Sequence, residues 1–134
     1  MKKVVHFEIP ADDLDRAKAF YSIFDWKLED WPMPDGSTYV GASTVEVDPE
    51  TRVPREPGAI NGGIMLRDAN LKSPGFAINV PSVDEYVDKV VNAGGSVVKP
   101  KYDVMGMGYF AYVKDTEGNV LGLWEDIPRG GERE

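Results

Sequence analysis

The sequence feature that most constrains the fold is an internal duplication. Each half of the chain begins with alternating apolar residues followed by a proline, Pro10 in the first half and Pro81 in the second. Superimposing the two prolines gives an offset of 71 residues and aligns Ile9 with Val80. A period of this length is too long for a solenoid repeat and fits two supersecondary units that pack against each other. We therefore expect two copies of one motif.

Each half predicts a strand, a helix and three further strands. Alternation over residues 3–9 predicts the first strand, and apolar side chains at steps of three and four residues predict a helix over about 12–24. The second half repeats this pattern, with a strand over 76–80 and a helix between Ser82 and Gly94. The remaining strands are predicted over residues 26–31, 38–47, 60–66, 96–99, 109–113 and 120–125. The fold class is therefore α+β, with two tandem β-α-β-β-β modules.

The composition is that of one compact domain. The chain has 134 residues, of which 42% are hydrophobic and 28% charged, and it is long enough to bury an apolar core. The absence of cysteine excludes disulfides, thiolate metal sites and a cysteine nucleophile. We expect a single domain over residues 1–127, with module one at about 3–67 and module two at about 73–126. Residues 128–134 have no apolar side chain to bury and are predicted to form a flexible tail.

The charge and the hydropathy pattern exclude several partners. A net charge of −8 repels phosphate backbones and anionic membrane surfaces. No stretch approaches the ~20 apolar residues that span a bilayer, and the N-terminus turns polar at Glu8, too early for a signal peptide. We therefore expect a cytoplasmic protein that binds neither nucleic acid nor a membrane.

The single histidine, His6, is the first candidate for chemistry. Glu8 follows it by two residues on the predicted first strand, so both side chains project from the same face. In module two, Asn79 takes the place of Glu8. An imidazole acting as base, oriented by a carboxylate, can move a proton on a small molecule. The alternative is a hydrogen-bonded structural pair or a solvated strand edge.

Aromatic residues of the last hairpin are the second candidate. A turn at 115–119 that pairs Val113 with Val120 sets Tyr109 opposite Trp124, on the face away from the helix. An apolar slot with an aromatic wall suits a planar or hydrophobic ligand. The alternative is that both rings only fill space or support a dimer contact. The same register assigns to the helix side, as core, Phe110, Tyr112, Leu121 and Leu123.

Several segments carry a family resemblance. They are Val5-His6 followed by residues 13–21, then residues 24–26, 93–97 and 110–124. In these segments the chain resembles the vicinal oxygen chelate superfamily, which holds glyoxalase I, extradiol dioxygenases, fosfomycin resistance proteins and bleomycin-binding proteins. The resemblance reaches to about residue 126. It implies a mixed sheet from two modules that curls around a cavity, with helices on the outside, in a homodimer.

The resemblance also implies where metal ligands would lie, on the first and last strand of each module. His6 matches the first of these four positions. The other three positions have no donor side chain, because they fall on Ala77 or Gly75, on Gly62-Gly63 and on Gly122. A divalent ion held by one imidazole would bind weakly, since these metals take several nitrogen or oxygen ligands. We therefore expect no metal and no other cofactor, with a weakly held divalent metal as the alternative.

Three functions are compatible with this resemblance, and whether the chain is an enzyme stays open among them. We expect a glyoxalase/bleomycin resistance-like protein that binds a hydrophobic or aromatic small molecule without metal, through Asn79, Tyr109 and Trp124. The first alternative is a glyoxalase-related lyase, isomerase or dioxygenase with His6 and Glu8 as catalytic residues and a weakly held metal. The second alternative is a non-catalytic structural dimer.

Overall fold

The computed structural model describes residues 1–127, so the predicted tail at 128–134 lies outside the described residues. The chain divides into two compact units, residues 5–74 and residues 1–4 together with the chain from Gly75 onward. Each unit contains one strand-helix-strand-strand-strand module, which confirms the predicted duplication and the α+β class. The single domain over 1–127 and the cavity enclosed by the two modules stay predictions.

Module one forms a four-stranded mixed sheet with a helix on one face. Its elements are β1 (Val4–Ala11), α1 (Leu14–Tyr21), a single 3-10 turn (Ser22–Phe24), β2 (Lys27–Pro32), β3 (Thr38–Ser43) and β4 (Asn61–Leu66). The strand order is β2-β3-β4-β1. The β1–β4 pair is parallel, and the other two pairs are antiparallel. The first strand of the module therefore lies beside its last strand.

Module two repeats this arrangement. Its elements are β5 (Gly75–Asn79), α2 (Val83–Asn92), β6 (Ser96–Val104), β7 (Gly108–Lys114) and β8 (Val120–Asp126). The strand order is β5-β8-β7-β6, again with the first and last strands of the module parallel. Among residues 1–127, we find no helix with the length and apolarity that crossing a bilayer requires.

Side-chain caps fix where the helices begin. The Asp13 carboxylate accepts a hydrogen bond from the Arg16 backbone N–H at 3.0 Å, and the Ser82 hydroxyl accepts one from the Glu85 N–H at 3.1 Å. Helix α2 ends before Gly94, whose φ of +101° suits a residue without a side chain. The two modules therefore use the same kind of helix start, but the caps are 69 residues apart, two fewer than the offset between the prolines.

One face of each sheet packs on its helix and forms the core. In module one the buried residues are Ala11, Val40 and Ile64, and in module two they are Val80, Val83, Ala111, Val113 and Leu123. Because side chains alternate along a strand, the intervening residues lie on the sheet face opposite the helix. In module one this opposite face carries both His6 and Glu8.

Three strands end two or more residues away from the predicted position. Strand β1 continues through Pro10, which removes one donor but keeps the backbone extended, and the carbonyl of Ala11 still accepts from the Arg67 N–H at 2.8 Å. Strand β3 ends at Ser43, because the Asn61 side-chain oxygen accepts the next two backbone N–H groups at 2.7 and 3.0 Å. Strand β6 extends to Val104, with register shifts along its pairing with β7.

The predicted register of the last hairpin is wrong by one residue. The turn spans five residues, and the Asp115 carboxylate accepts from the backbone N–H groups of Glu117 and Asn119 at 2.8 and 2.9 Å. The hairpin therefore pairs Lys114 with Val120, and Val113 with Leu121. A slip of one residue moves side chains to the other face of a strand.

The slip changes which aromatic residues share a face. Tyr109 packs against the core under α2, instead of on the opposite face as predicted. Phe110 is in register with Trp124, and Tyr112 is in register with Gly122. The prediction that Phe110 and Tyr112 belong to the helix side is therefore wrong, whereas Leu121 and Leu123 do pack on that side.

Candidate functional site

A hydrogen bond between His6 and Tyr39 organises the helix-opposite face of module one. The imidazole Nε2 lies 2.7 Å from the Tyr39 hydroxyl. The ring centroids are 6.5 Å apart and the ring planes differ by 14°. This separation is too long for face-to-face stacking, and it matches two rings joined end to end through the hydrogen bond. The imidazole and the phenol therefore form one nearly flat surface.

Glycines on the neighbouring strands make room for this surface. A Cβ atom on Gly63 would lie 1.9 Å from the Tyr39 Oη, so the phenol ring rests directly on that glycine. A Cβ atom on Gly41 would lie 2.7 Å from the Trp31 Nε1. The two glycines are paired in register, and so are the two aromatic residues above them. We call His6, Tyr39 and Trp31 the aromatic platform.

The platform contains an uncharged imidazole and lies beside a buried carboxyl group. Burial lowers the pKa of His6 from 6.5 to about 4, so the imidazole is neutral at pH 7. Glu8 lies in register with Gly63, and only 5% of its surface is exposed. Trp31 is the open end of the platform, with 44% of its surface exposed. The platform therefore offers uncharged ring faces beside one buried carboxyl group.

In module two, the predicted binding residues Asn79 and Trp124 hold each other through Asp126. The Asn79 side-chain amide donates to the Trp124 carbonyl and to Asp126 Oδ2, both at 3.1 Å. The Trp124 indole N–H donates to Asp126 Oδ1 at 2.9 Å. A surface cleft of about 340 Å³ borders Asn79 and Asp126. These polar groups already serve a structural network at the edge of that cleft.

The other rings of module two also cover glycines. A Cβ atom on Gly122 would lie 2.2 Å from Phe110, and one on Gly108 would lie 2.3 Å from Trp124. Tyr109, predicted to face Trp124, instead has the Lys101 ammonium 4.2 Å from its ring centroid. The structure therefore brings Asn79 and Trp124 together and leaves Tyr109 on the other face. In this module the rings fill the space over the glycines.

The comparison with known proteins decides the family. The sequence profile of the Glyoxalase/Bleomycin resistance protein/Dioxygenase superfamily matches residues 3–123. The chain belongs to this superfamily. It is 32% identical over 120 residues to the "Putative glyoxylase CFP32" of Mycobacterium bovis, which covers 88% of this chain and 43% of that protein. The chain thus spans less than half the length of this relative.

Solved structures of the superfamily share the fold. The hypothetical protein BH1468 from Bacillus halodurans matches with a TM-score of 0.66 and 14% identity, over 96% of this chain and 97% of that one. Glyoxalase I from Zea mays matches with a TM-score of 0.64 and 17% identity, over 93% of this chain and 43% of that one. At these identities, the likeness concerns the fold alone.

The residues at the superfamily's metal positions do not fit a metal ion. The Nε2 atom of His6 bonds to Tyr39, and the space beside Gly63 is filled by the same tyrosine. In module two, Ala77 is in register with Gly122, and neither has a donor side chain. Within residues 1–127, no three His, Cys, Asp or Glu side chains lie together as a metal would require.

Tyr39 and Trp31 are site residues that the sequence interpretation missed. Strand alternation places Tyr39 on the helix-opposite face, but it does not show that its ring reaches across β4 to His6. The sequence signal for such a contact is Gly63, because a glycine within a strand commonly allows a neighbouring ring or backbone to pack closely against it. Sequence reasoning read this glycine only as a lost metal ligand.

Acidification tests the burial of His6. Since the folded pKa is about 4 and the unfolded value is 6.5, the unfolded chain binds more protons between these pH values. The free energy of unfolding should therefore fall as the pH is lowered from 6.5 through 4, by up to about 3 kcal/mol from His6. Urea unfolding of the wild type and of His6→Gln at several pH values measures this difference. Equal pH dependence in both proteins would show that His6 titrates normally.

Substitution of Gly63 tests the packing of the platform. In Gly63→Ala the new methyl group should displace the Tyr39 ring and break its bond to His6, at a cost of about 1–3 kcal/mol. In a Tyr39→Ala background, the same substitution should cost much less, because nothing is left to displace. Urea unfolding of the four proteins gives the coupling energy. Independent, additive effects would contradict the described contact.

Proposed function

We propose that this protein binds a planar, hydrophobic or aromatic small molecule without a metal, as a member of the glyoxalase/bleomycin resistance superfamily. The observation that carries the proposal is the end-to-end arrangement of the His6 and Tyr39 rings. Two rings in nearly one plane present an extended flat surface. Planar ligands stack on such surfaces, and each aromatic contact contributes about 0.5–1.5 kcal/mol beyond the area that it buries.

The surroundings of the platform support the same ligand class. His6 is neutral at pH 7, which suits an apolar ring better than an imidazolium would. Trp31 extends the aromatic surface towards solvent. The polar groups of Asn79 and Trp124 are engaged by Asp126, so any role for these two residues rests on the indole ring. The cytoplasmic location and the homodimer belong to the proposal as predictions.

A glyoxalase-related enzyme is the second candidate. The observation that favours it is the 2.7 Å contact between an imidazole and a phenol, since such a pair can relay a proton to or from a bound molecule. The name of the Mycobacterium bovis relative points in the same direction for that longer protein. This candidate predicts that the protein converts a bound molecule into a product. It also predicts that His6→Gln abolishes the formation of that product.

A thermal-shift screen tests the binding proposal. Uncharged planar aromatic compounds should raise the melting temperature of the wild type, because a ligand at 100 times its Kd stabilises the fold by about 2.7 kcal/mol. The variant Tyr39→Leu keeps an apolar side chain on β3 but lacks the ring that covers Gly63, so it should lose this response. The control is Phe76→Leu, which removes an exposed aromatic ring that lies outside the platform.

The screen has three outcomes that count against the proposal. If no compound shifts the melting temperature of the wild type, the helix-opposite face has no such ligand and the structural alternative is favoured. If compounds stabilise the wild type and Tyr39→Leu equally, they bind elsewhere. Loss of the response in Phe76→Leu but not in Tyr39→Leu would likewise move the site away from the platform.

A further inference from the structure

We propose that Tyr39 excludes divalent cations from this site, because its hydroxyl occupies the place where His6 and a side chain at position 63 would hold one. The inference concerns the chain's own residues and does not depend on the small-molecule ligand. It accounts for a histidine on β1 whose Nε2 atom meets a tyrosine hydroxyl. It also predicts that substitution of both Tyr39 and Gly63 creates a metal site.

The distances place His6 and position 63 around one point. The Tyr39 Oη lies 2.7 Å from His6 Nε2 and 1.9 Å from the Cβ position of Gly63. Because the two distances share the Oη atom, the imidazole nitrogen lies within about 4.6 Å of that Cβ position. Zinc binds imidazole nitrogen and carboxylate oxygen at about 2 Å. A glutamate at position 63 can therefore share one ion with His6.

Glu8 adds a third oxygen or nitrogen donor to this neighbourhood. It is in register with Gly63 on the adjacent parallel strand, and it lies on the same face as His6 two residues before it. A set of one imidazole and two carboxylates suits several divalent ions. The native site cannot hold an ion in this way, because Gly63 has no donor side chain and the Tyr39 ring fills the space beside it.

Tyr39 and a side chain at position 63 exclude each other. A Cβ atom on residue 63 would overlap the Oη, Cζ and Cε1 atoms of the ring, at 1.9, 2.0 and 2.4 Å. The site therefore has two alternative compositions. One is the native tyrosine with glycine, in which the imidazole nitrogen meets a hydroxyl, and the other is a small residue with a carboxylate, in which it meets a cation.

Metal binding to designed variants tests the inference. We would measure Zn²⁺ and Ni²⁺ binding by calorimetry and equilibrium dialysis for the wild type, Tyr39→Ala, Gly63→Glu and the double variant. The double variant should bind one ion per chain at least tenfold more tightly than the wild type or either single variant. Adding His6→Gln to the double variant should remove this gain, which distinguishes the designed site from ions held at the surface.

Two results would overturn the inference. The first is a stoichiometric ion in the wild type that His6→Gln abolishes, since Tyr39 would then not close the site. The second is a folded double variant, verified by circular dichroism, without any gain in affinity. If the double variant does not fold, the pair Tyr39→Ser and Gly63→Asp makes the same exchange with smaller side chains and is judged by the same criterion.

Discussion

The hydrogen bond between His6 and Tyr39 is the interaction on which the rest of the site depends. It joins β1 to β3, which are separated by β4 in the sheet, so the phenol ring has to cross the middle strand. The crossing is possible only because residue 63, on that strand, is a glycine. One contact thereby fixes the ring plane, occupies the imidazole nitrogen and removes the space for another side chain.

The duplication conserves the backbone and the core but not the open face. Both modules have the same element order and the same parallel pairing of first and last strands. Both also cover glycines with aromatic rings, Tyr39 on Gly63 in module one and Phe110 on Gly122 in module two. In module one the covering ring of Tyr39 bonds to an imidazole, whereas in module two the covering ring of Trp124 donates to the Asp126 carboxylate. The function that we propose therefore rests on module one.

The element order was predictable from the sequence because it depends on local patterns. Alternating residues, helix caps such as Asp13 and the repeat itself are all visible along the chain. The hairpin register was not, since a turn of five residues closed by the Asp115 carboxylate shifts every pair by one. Tyr39 escaped prediction for another reason, because its partner lies 33 residues away and two strands over. Such contacts depend on tertiary packing, which periodicity does not report.

The spectrum of the single histidine tests the central claim most directly. A long-range ¹H–¹⁵N correlation spectrum at pH 7 contains one set of side-chain imidazole signals, because His6 is the only histidine. The account predicts a neutral imidazole whose Nε2 resonance shifts when Tyr39 is replaced by phenylalanine, which removes the hydroxyl and keeps the ring. A charged imidazole, or an Nε2 resonance unchanged in Tyr39→Phe, would contradict it.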